Sequence, residues 1–261
     1  MDFTGKAVLV TGSSTGIGRA SVIEFAKRGA AYVGINYLRS QKDPGNFAEE
    51  TKSLVEAEGS KAVIFEADIS TEKTATGLID DFYKEFGRID VLVNCAGTTE
   101  VLDPTDLDAI TPELWNKIMG TNVYGLFYLI RAASKIMKKQ GSGSIVCVAS
   151  LAALGTGGSC IPYNISKGSI VHLVECLVKP LAPEVRINCI LPATVSDSNW
   201  WTGSEAGLAF RERQKKGADN IPLKREGASA DYAKAIVFYA SDEAGYCTGS
   251  YLPVDGGSRH R

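Results

Sequence analysis

Short apolar runs separated by longer amphipathic segments, repeated from one end of the chain to the other, constrain this sequence more than any other feature. Seven runs stand out: Lys6 to Thr11, Ala30 to Asn36, Lys61 to Ala67, Asp90 to Cys95, Gly143 to Ser150, Glu184 to Leu191 and Ser250 to Val254. Between the first six lie patterns such as GRASVIEFAKRG and TATGLIDDFYKEFG, with apolar residues at i, i+3, i+4 and i+7 and mostly a closing glycine. Strands that are apolar almost throughout must be covered on both faces, and strands joined through helices run parallel. The expectation is an α/β chain: one domain spanning residues 1 to 261, with a doubly wound, seven-stranded, mostly parallel sheet and right-handed crossovers.

Composition narrows the function classes. With 28 basic and 30 acidic side chains the net charge is -2, and no block of one sign suits a phosphate backbone, so nucleic acid is not expected as a partner. No apolar run approaches the roughly 18 residues of a spanning helix, so a membrane is not expected either. The start, MDFTGKAVLVTG, lacks a basic segment followed by an apolar one, which predicts a cytoplasmic protein. Six scattered cysteines, never as CxxC, read as small buried apolar residues, and no metal is expected. RERQKK at Arg211 to Lys216 reads as a solvated helix face. One stretch, from Pro192 to about Ile221, is too long for an ordinary connection. It reads as a substrate loop carrying NWW at Asn199 to Trp201, because it follows the carboxyl end of a strand.

The glycine turn TGSSTGIG, Thr11 to Gly18, joins the first strand to the first helix. Gly12 suits a tight turn, Gly16 a close approach of backbone to ligand, and Gly18 close helix packing. The helix amino terminus adds free N–H groups and the positive dipole end, so a pyrophosphate is the expected ligand. Farther on, Tyr163 and Lys167 in YNISK stand at i and i+4, on one face of a helix.

These residues resemble the short-chain dehydrogenase/reductase family, single-domain type, over essentially the whole chain. The glycine spacing T-G-x-x-x-G-x-G, NCAG at Asn94 to Gly97, Asn122 in TNVYG, and Ser150 thirteen residues before the Y-x-x-x-K of Tyr163 and Lys167 all stand at the family's spacing. PLKREG and YCTGSYLPVDGG resemble the family's carboxyl-terminal helix and strand. The sequence departs from the family in two places: Cys95 replaces the second Asn of NNAG, and PATVSDS has Ala193 where the family has Gly and no Thr beyond position 194.

The resemblance implies a Rossmann-type oxidoreductase that interconverts a ketone and a secondary alcohol with a nicotinamide dinucleotide. Tyr163 is its expected proton donor and acceptor, and Lys167 the ammonium that lowers the phenol pKa. Ser150 polarises the substrate oxygen, and Asn122 holds a water that relays protons. Cofactor contacts are expected from Gly12, Ser14, Thr15, Gly16, Ile17 and Gly18 at the phosphates, and from Asn36, Tyr37, Arg39, Asp68 and Ile69 at the adenosine. Asn94, Ala96, Gly97, Tyr163, Lys167, Pro192, Ala193 and Val195 are expected around the nicotinamide side. The end of the second strand, GINYLRS, lacks the acidic residue that would repel a 2′-phosphate, and Arg39 can pair with one, which favours NADP(H) over NAD(H).

Ser150, Tyr163, Ala152 and Trp200 are the expected substrate contacts, in a mostly apolar pocket with Thr98 to Val101. Glu100, Ser196 and Asn199 near the same mouth leave a polyol or sugar open beside a 3-oxoacyl substrate. A cofactor-sensing protein without catalysis is the non-enzyme alternative. The family further implies a homotetramer, or a homodimer, through the central helices and last strand. His172, in SIVHLVECLVKPL, is expected at an interface or in the core, and Pro180 at the end of that helix.

Overall fold

A computed structural model describes residues 1–40, 45–198, 200–201 and 204–260. Seven strands form one sheet: β1 (Ala7–Thr11), β2 (Tyr32–Tyr37), β3 (Lys61–Glu66), β4 (Val91–Asn94), β5 (Gly143–Val148), β6 (Val185–Pro192) and β7 (Tyr251–Val254). Their order is β3-β2-β1-β4-β5-β6-β7, and every neighbouring pair is parallel. The chain order reverses between β1 and β4. In open α/β sheets that switch point opens a crevice at the carboxyl ends of the strands, where ligands bind.

Period-two alternation along the strands sends successive side chains to opposite layers. Val8 and Val10 of β1 join Val22 and Phe25 of α1 (Gly16–Lys27), Val55 of α2 (Asn46–Ala57), and Ile236 and Val237 of α8 (Ser229–Ala240). Ala7 and Leu9 point the other way, into a core with α3 (Glu72–Phe86), α5 (Leu126–Gln140) and α6 (Ile161–Leu181). Both layers are dry, which is why the strands read as continuous apolar runs.

Local chemistry sets the helix ends. In α3 the Thr71 hydroxyl accepts from the Thr74 N–H at 3.3 Å, Ala75, Leu78, Ile79 and Phe82 form the buried stripe, and Gly87 closes the helix at φ 71°. α4 (Pro112–Met119) starts on a Thr111 cap and runs through a π-helical turn, Gly120–Gly125, into α5. The π turn carries Asn122 and breaks the i→i−4 hydrogen-bond pattern there, as such turns often do at functional sites. Pro180 sits in the last turn of α6, which ends at Leu181 as its missing N–H requires.

Three expectations need correction. The stretch from Pro192 to Ile221 is not irregular throughout: it contains α7 (Glu205–Lys216), capped by the Ser204 hydroxyl, which accepts from the Gly207 N–H at 3.0 Å. The RERQKK face is not wholly solvated, because Arg211 is buried in an ion pair with Glu226 while Glu212, Lys215 and Lys216 are exposed. His172 is not a core residue within this chain. Its side chain is 78% exposed and lies 3.2 Å from Glu175.

Candidate active site

The turn after β1 shows why glycine is required at two of its positions. Gly12 has φ +60°, and a Cβ there would lie 2.8 Å from the Cα of Ala96. A Cβ on Gly18 would lie 2.4 Å from the Gly12 carbonyl oxygen. The outer side of the turn is pinned: the Ser13 hydroxyl donates to Val10 O at 2.7 Å, and Arg19 Nε and the Thr51 hydroxyl both donate to Ser14 O at 2.9 Å. The inner side is open, with Gly12 and Ser14 to Gly18 lining a cavity of about 1450 Å³. No acidic side chain stands in the first turn of α1, and no side chain caps its N–H groups. A pyrophosphate fits that end of the cavity by size and by charge.

Asp68, Ile69 and the β2 residues Asn36 and Tyr37 line the adenosine end. Asn36 is a fastener as well as a wall: its Oδ1 accepts from the Gly12 N–H, and its Nδ2 donates to Phe65 O and Ala67 O at 3.2 and 3.1 Å. Arg39 is not presented as the sequence suggests. Its guanidinium lies 3.0 Å from the Glu66 carboxylate and donates to the Tyr37 hydroxyl at 3.0 Å, while that hydroxyl donates to Glu66 at 3.0 Å. Glu66 ends the neighbouring strand β3 and was invisible to a reading of β2 alone. Asn94 also differs from expectation. It is buried behind the cavity wall, where its Oδ1 accepts from the Thr11 hydroxyl at 2.8 Å, and the same hydroxyl accepts from the Ala96 N–H at 3.2 Å. Asn94 therefore holds the β4 loop rather than facing the cavity, and its Nδ2 has no partner.

Ser150, Tyr163 and Lys167 line the same cavity, with Ala96 and Gly97 beneath and Pro192, Ala193 and Val195 beside them. Ser150 follows β5 and accepts from the Ala152 N–H at 3.2 Å. α6 carries Tyr163 and, one turn on, Lys167, whose Nζ lies 5.6 Å from the phenol ring centroid and donates to Val148 O at 3.1 Å. Asn122 does not line the cavity. Its Nδ2 donates to Thr98 O and to the Ser166 hydroxyl at 3.0 and 2.9 Å, its Oδ1 accepts from the Thr98 N–H at 2.8 Å, and Ser166 donates in turn to Tyr163 O. The β4 loop, the π turn and the Tyr163 helix are thus one hydrogen-bonded unit.

Burial dominates the electrostatics. It pushes the Tyr163 phenol up to about 12, against an opposing pull from the Ser150 hydroxyl, and it lowers Lys167 to about 8. The expected lowering of Tyr163 by Lys167 is therefore not achieved by the protein's groups alone. Three thiols crowd around the ammonium, and burial raises Cys95 and Cys189 to about 12 and Cys147 well above its usual range.

The remaining wall comes from Leu151, Ala152 and Leu154 on one side and Trp200, Trp201 and Phe210 on the other. A Cβ on Gly97 would lie 3.5 Å from the Trp200 ring and 3.6 Å from Lys167 Nζ, which brings that tryptophan close to the reactive groups. Trp201 stands edge-on to Trp200 at 6.3 Å and packs on Phe210 at 4.7 Å. Of the three polar candidates at the mouth, Glu100 reaches towards Lys117 at 3.9 Å, Ser196 donates its N–H to Gly227 O, and Asn199 lies outside the described residues. Phe210 and Ser258 were missed by sequence reasoning; aromatic clustering in the long connection was the signal for the first.

A family profile described as Enoyl-(Acyl carrier protein) reductase matches residues 12–259. An uncharacterized oxidoreductase of Thermotoga maritima is 36% identical over 260 residues, covering 99% of each chain. L-rhamnose 1-dehydrogenase (NAD(P)(+)) of a Sphingomonas species is 36% identical over 255 residues, covering 97% of this chain and 96% of its own. Among solved structures, NAD+-bound xylitol dehydrogenase superposes with a TM-score of 0.86 at 27% identity, covering 98% of this chain and all of its own.

Proposed function

Since the chain belongs to the short-chain dehydrogenase/reductase family, whose members bind NAD(P) and interconvert carbonyls and alcohols, we propose that Tyr163, Lys167 and Ser150 carry out that reaction on a small or medium ketone or secondary alcohol. The observation that carries this reading is the opening of all three side chains into the cavity that the glycine turn borders. When bound, the nicotinamide supplies the hydride acceptor or donor. The glycine turn, Asp68, Ile69, Ala96, Gly97 and the Val195 N–H are the groups that would hold the dinucleotide.

In the oxidation direction, Tyr163 as phenolate takes the hydroxyl proton while Ser150 donates a hydrogen bond to the substrate oxygen. In reduction, Tyr163 returns the proton. Lys167 stabilises the phenolate, and a positive charge on the oxidised cofactor adds to what Lys167 alone does not achieve. Asn122 positions Tyr163 through Ser166, and its backbone carbonyl anchors the water that passes protons from Lys167 to solvent.

The dinucleotide assignment is NADP(H) ahead of NAD(H), by a modest margin. Arg39 offers a bidentate partner to a 2′-phosphate, but that phosphate must displace Glu66 from it, exchanging one ion pair for another. A homotetramer is supported by two separate exposed apolar faces, Tyr124, Phe127, Ile161 and Ile165 on the central helices and Phe238, Tyr246, Tyr251 and Leu252 around β7. The exposed Cys176 thiol suits a reducing cytoplasm.

A screen of ketones and secondary alcohols with both dinucleotides, read by absorbance of the reduced nicotinamide, tests the reaction class. Turnover in at least one pairing is expected, and none in any pairing would refute it.

A further inference from the structure

Past the aromatic side wall the cavity meets a surface made by two segments far apart in sequence. Arg213 and Gln214 come from α7, and Ser258 and Arg259 follow β7; all four line the cavity. The segments are packed together, since a Cβ on Gly257 would lie 3.0 Å from Pro222, and one on Gly256 would lie 2.9 Å from Ile221, just beyond α7. The surface is continuous with the reactive end. Arg213 lies 5.5 Å over the Phe210 ring, Phe210 packs on Trp201, and Trp201 meets Trp200 beside Gly97 and Lys167.

Four groups on this wall lack an adequate partner. Among the described residues, Arg213 has no carboxylate within ion-pair distance, although Asp103 weakly feels its charge. Arg259 reaches only Asp255, at 3.9 Å. Ser258 is 9% exposed, and its Oγ has no hydrogen-bond partner; neither has the buried Oε1 of Gln214. Buried polar atoms are ordinarily paired; these two are closed to solvent in residues that line the cavity, so a small rotation of either side chain would present a free donor or acceptor to a ligand. Guanidinium groups and a hydroxyl donate to a carboxylate, while Gln214 Oε1 accepts from a hydroxyl next to it. An apolar ketone would leave all four unmet.

We propose that this wall is a carboxylate subsite, and that the substrate is a hydroxy acid or oxo acid with its reacting carbon at Tyr163 and its carboxylate at Arg213, Arg259 and Ser258. The hydroxyl neighbouring that carboxylate donates to Gln214. The assignment rests on the oxidoreductase reading and adds to it the class of substrate.

Matched pairs test it: gluconate and galacturonate, each against its methyl ester, with wild-type protein and either dinucleotide. At least one acid is expected to exceed its ester in kcat/KM by roughly 10- to 100-fold, the worth of charge-assisted hydrogen bonds. Arg213→Gln, Arg259→Gln and Ser258→Ala should each shrink that ratio through KM, with Arg213→Lys retaining part of it. Acids and esters turning over alike, or a sugar phosphate outperforming every acid, would overturn the subsite and leave the oxidoreductase standing. If no compound turns over, calorimetric titration of the acids into Tyr163→Phe protein saturated with oxidised dinucleotide decides. Binding that Arg213→Gln abolishes upholds the subsite while the redox reading falls, and no binding of any acid overturns the subsite.

Discussion

Replacing Arg211 by methionine isolates the contact that holds α7 over the site. The guanidinium makes two parallel hydrogen bonds to Glu226, at 2.6 and 2.7 Å, and a third to Ser196 O at 3.3 Å. The two side chains are only 10% and 11% exposed, so water replaces little of what is lost. Methionine fills the aliphatic stem of arginine but strands the Glu226 carboxylate, and breaking a buried pair from one side costs about 3 kcal/mol or more. Of the regular elements, α7 is the one most dependent on this contact, since only Gly207 and Arg211 of its residues are buried. The loss should therefore appear as local opening, not global unfolding. About 3 kcal/mol is roughly a 150-fold increase in the open population. Amide hydrogen exchange across residues 205–216 should accelerate by that order, trypsin should cut near Arg213 sooner, and KM should rise more than kcat falls. The double variant R211M/E226L, which removes both charges, should recover most of the protection. Unchanged exchange in R211M would refute the claim that this ion pair secures α7.

Three further outcomes follow from the same geometry. Gly18→Ala should fold but lose dinucleotide binding, because its methyl group would sit 2.4 Å from Gly12 O; a normal Kd by fluorescence titration would show that the turn adapts. Glu66→Gln should raise the NADPH to NADH ratio of kcat/KM by freeing Arg39 from an anionic partner, and a ratio that stays put would remove Arg39 from cofactor selection. Above pH 8, stability should respond to Lys167 and to the buried thiols in opposite directions. Folding releases the Lys167 proton between about 8 and its ordinary 10.5, so Lys167 by itself contributes a gain of about 1 kcal/mol from pH 8 to 9. Cys95, Cys189 and Tyr163, raised to about 12, contribute stability that is complete below their ordinary values of 9.0 and 10.0 and is lost as pH rises towards 12. In urea melts Lys167→Met should lose more stability from pH 8 to 9 than the wild type does, and equal changes in the two proteins would contradict the assignment.

Where the sequence was legible, one element carried its own signal. The strands were readable to within a residue or two because the five inner ones are buried on both faces and therefore apolar along their length, and the partly exposed edge strands β3 and β7 keep short apolar runs. Ser150, Tyr163, Lys167 and the glycine turn were readable because their spacing is local or bound to one strand end. Contacts between distant segments were not readable. Glu66 restrains Arg39 from the neighbouring strand, and Asn94 points behind the wall because Thr11 of β1 takes its carbonyl. The first half of α7 and the burial of Arg211 escaped because a polar helix fastened by one buried ion pair lacks an apolar stripe, and its partner Glu226 lies fifteen residues away. Ser258 and Arg259 reach the cavity only because the carboxyl-terminal turn packs on Ile221 and Pro222.

The central claim is that Tyr163 moves the proton in a cavity whose far end holds the dinucleotide. Single-turnover absorbance of the reduced nicotinamide in Tyr163→Phe, with dinucleotide binding measured on the same protein, tests it most directly. The account predicts binding within about twofold of wild type and turnover lower by roughly 10²- to 10⁴-fold, the usual worth of a positioned acid or base. Turnover near the wild-type rate with the phenol hydroxyl removed would contradict it.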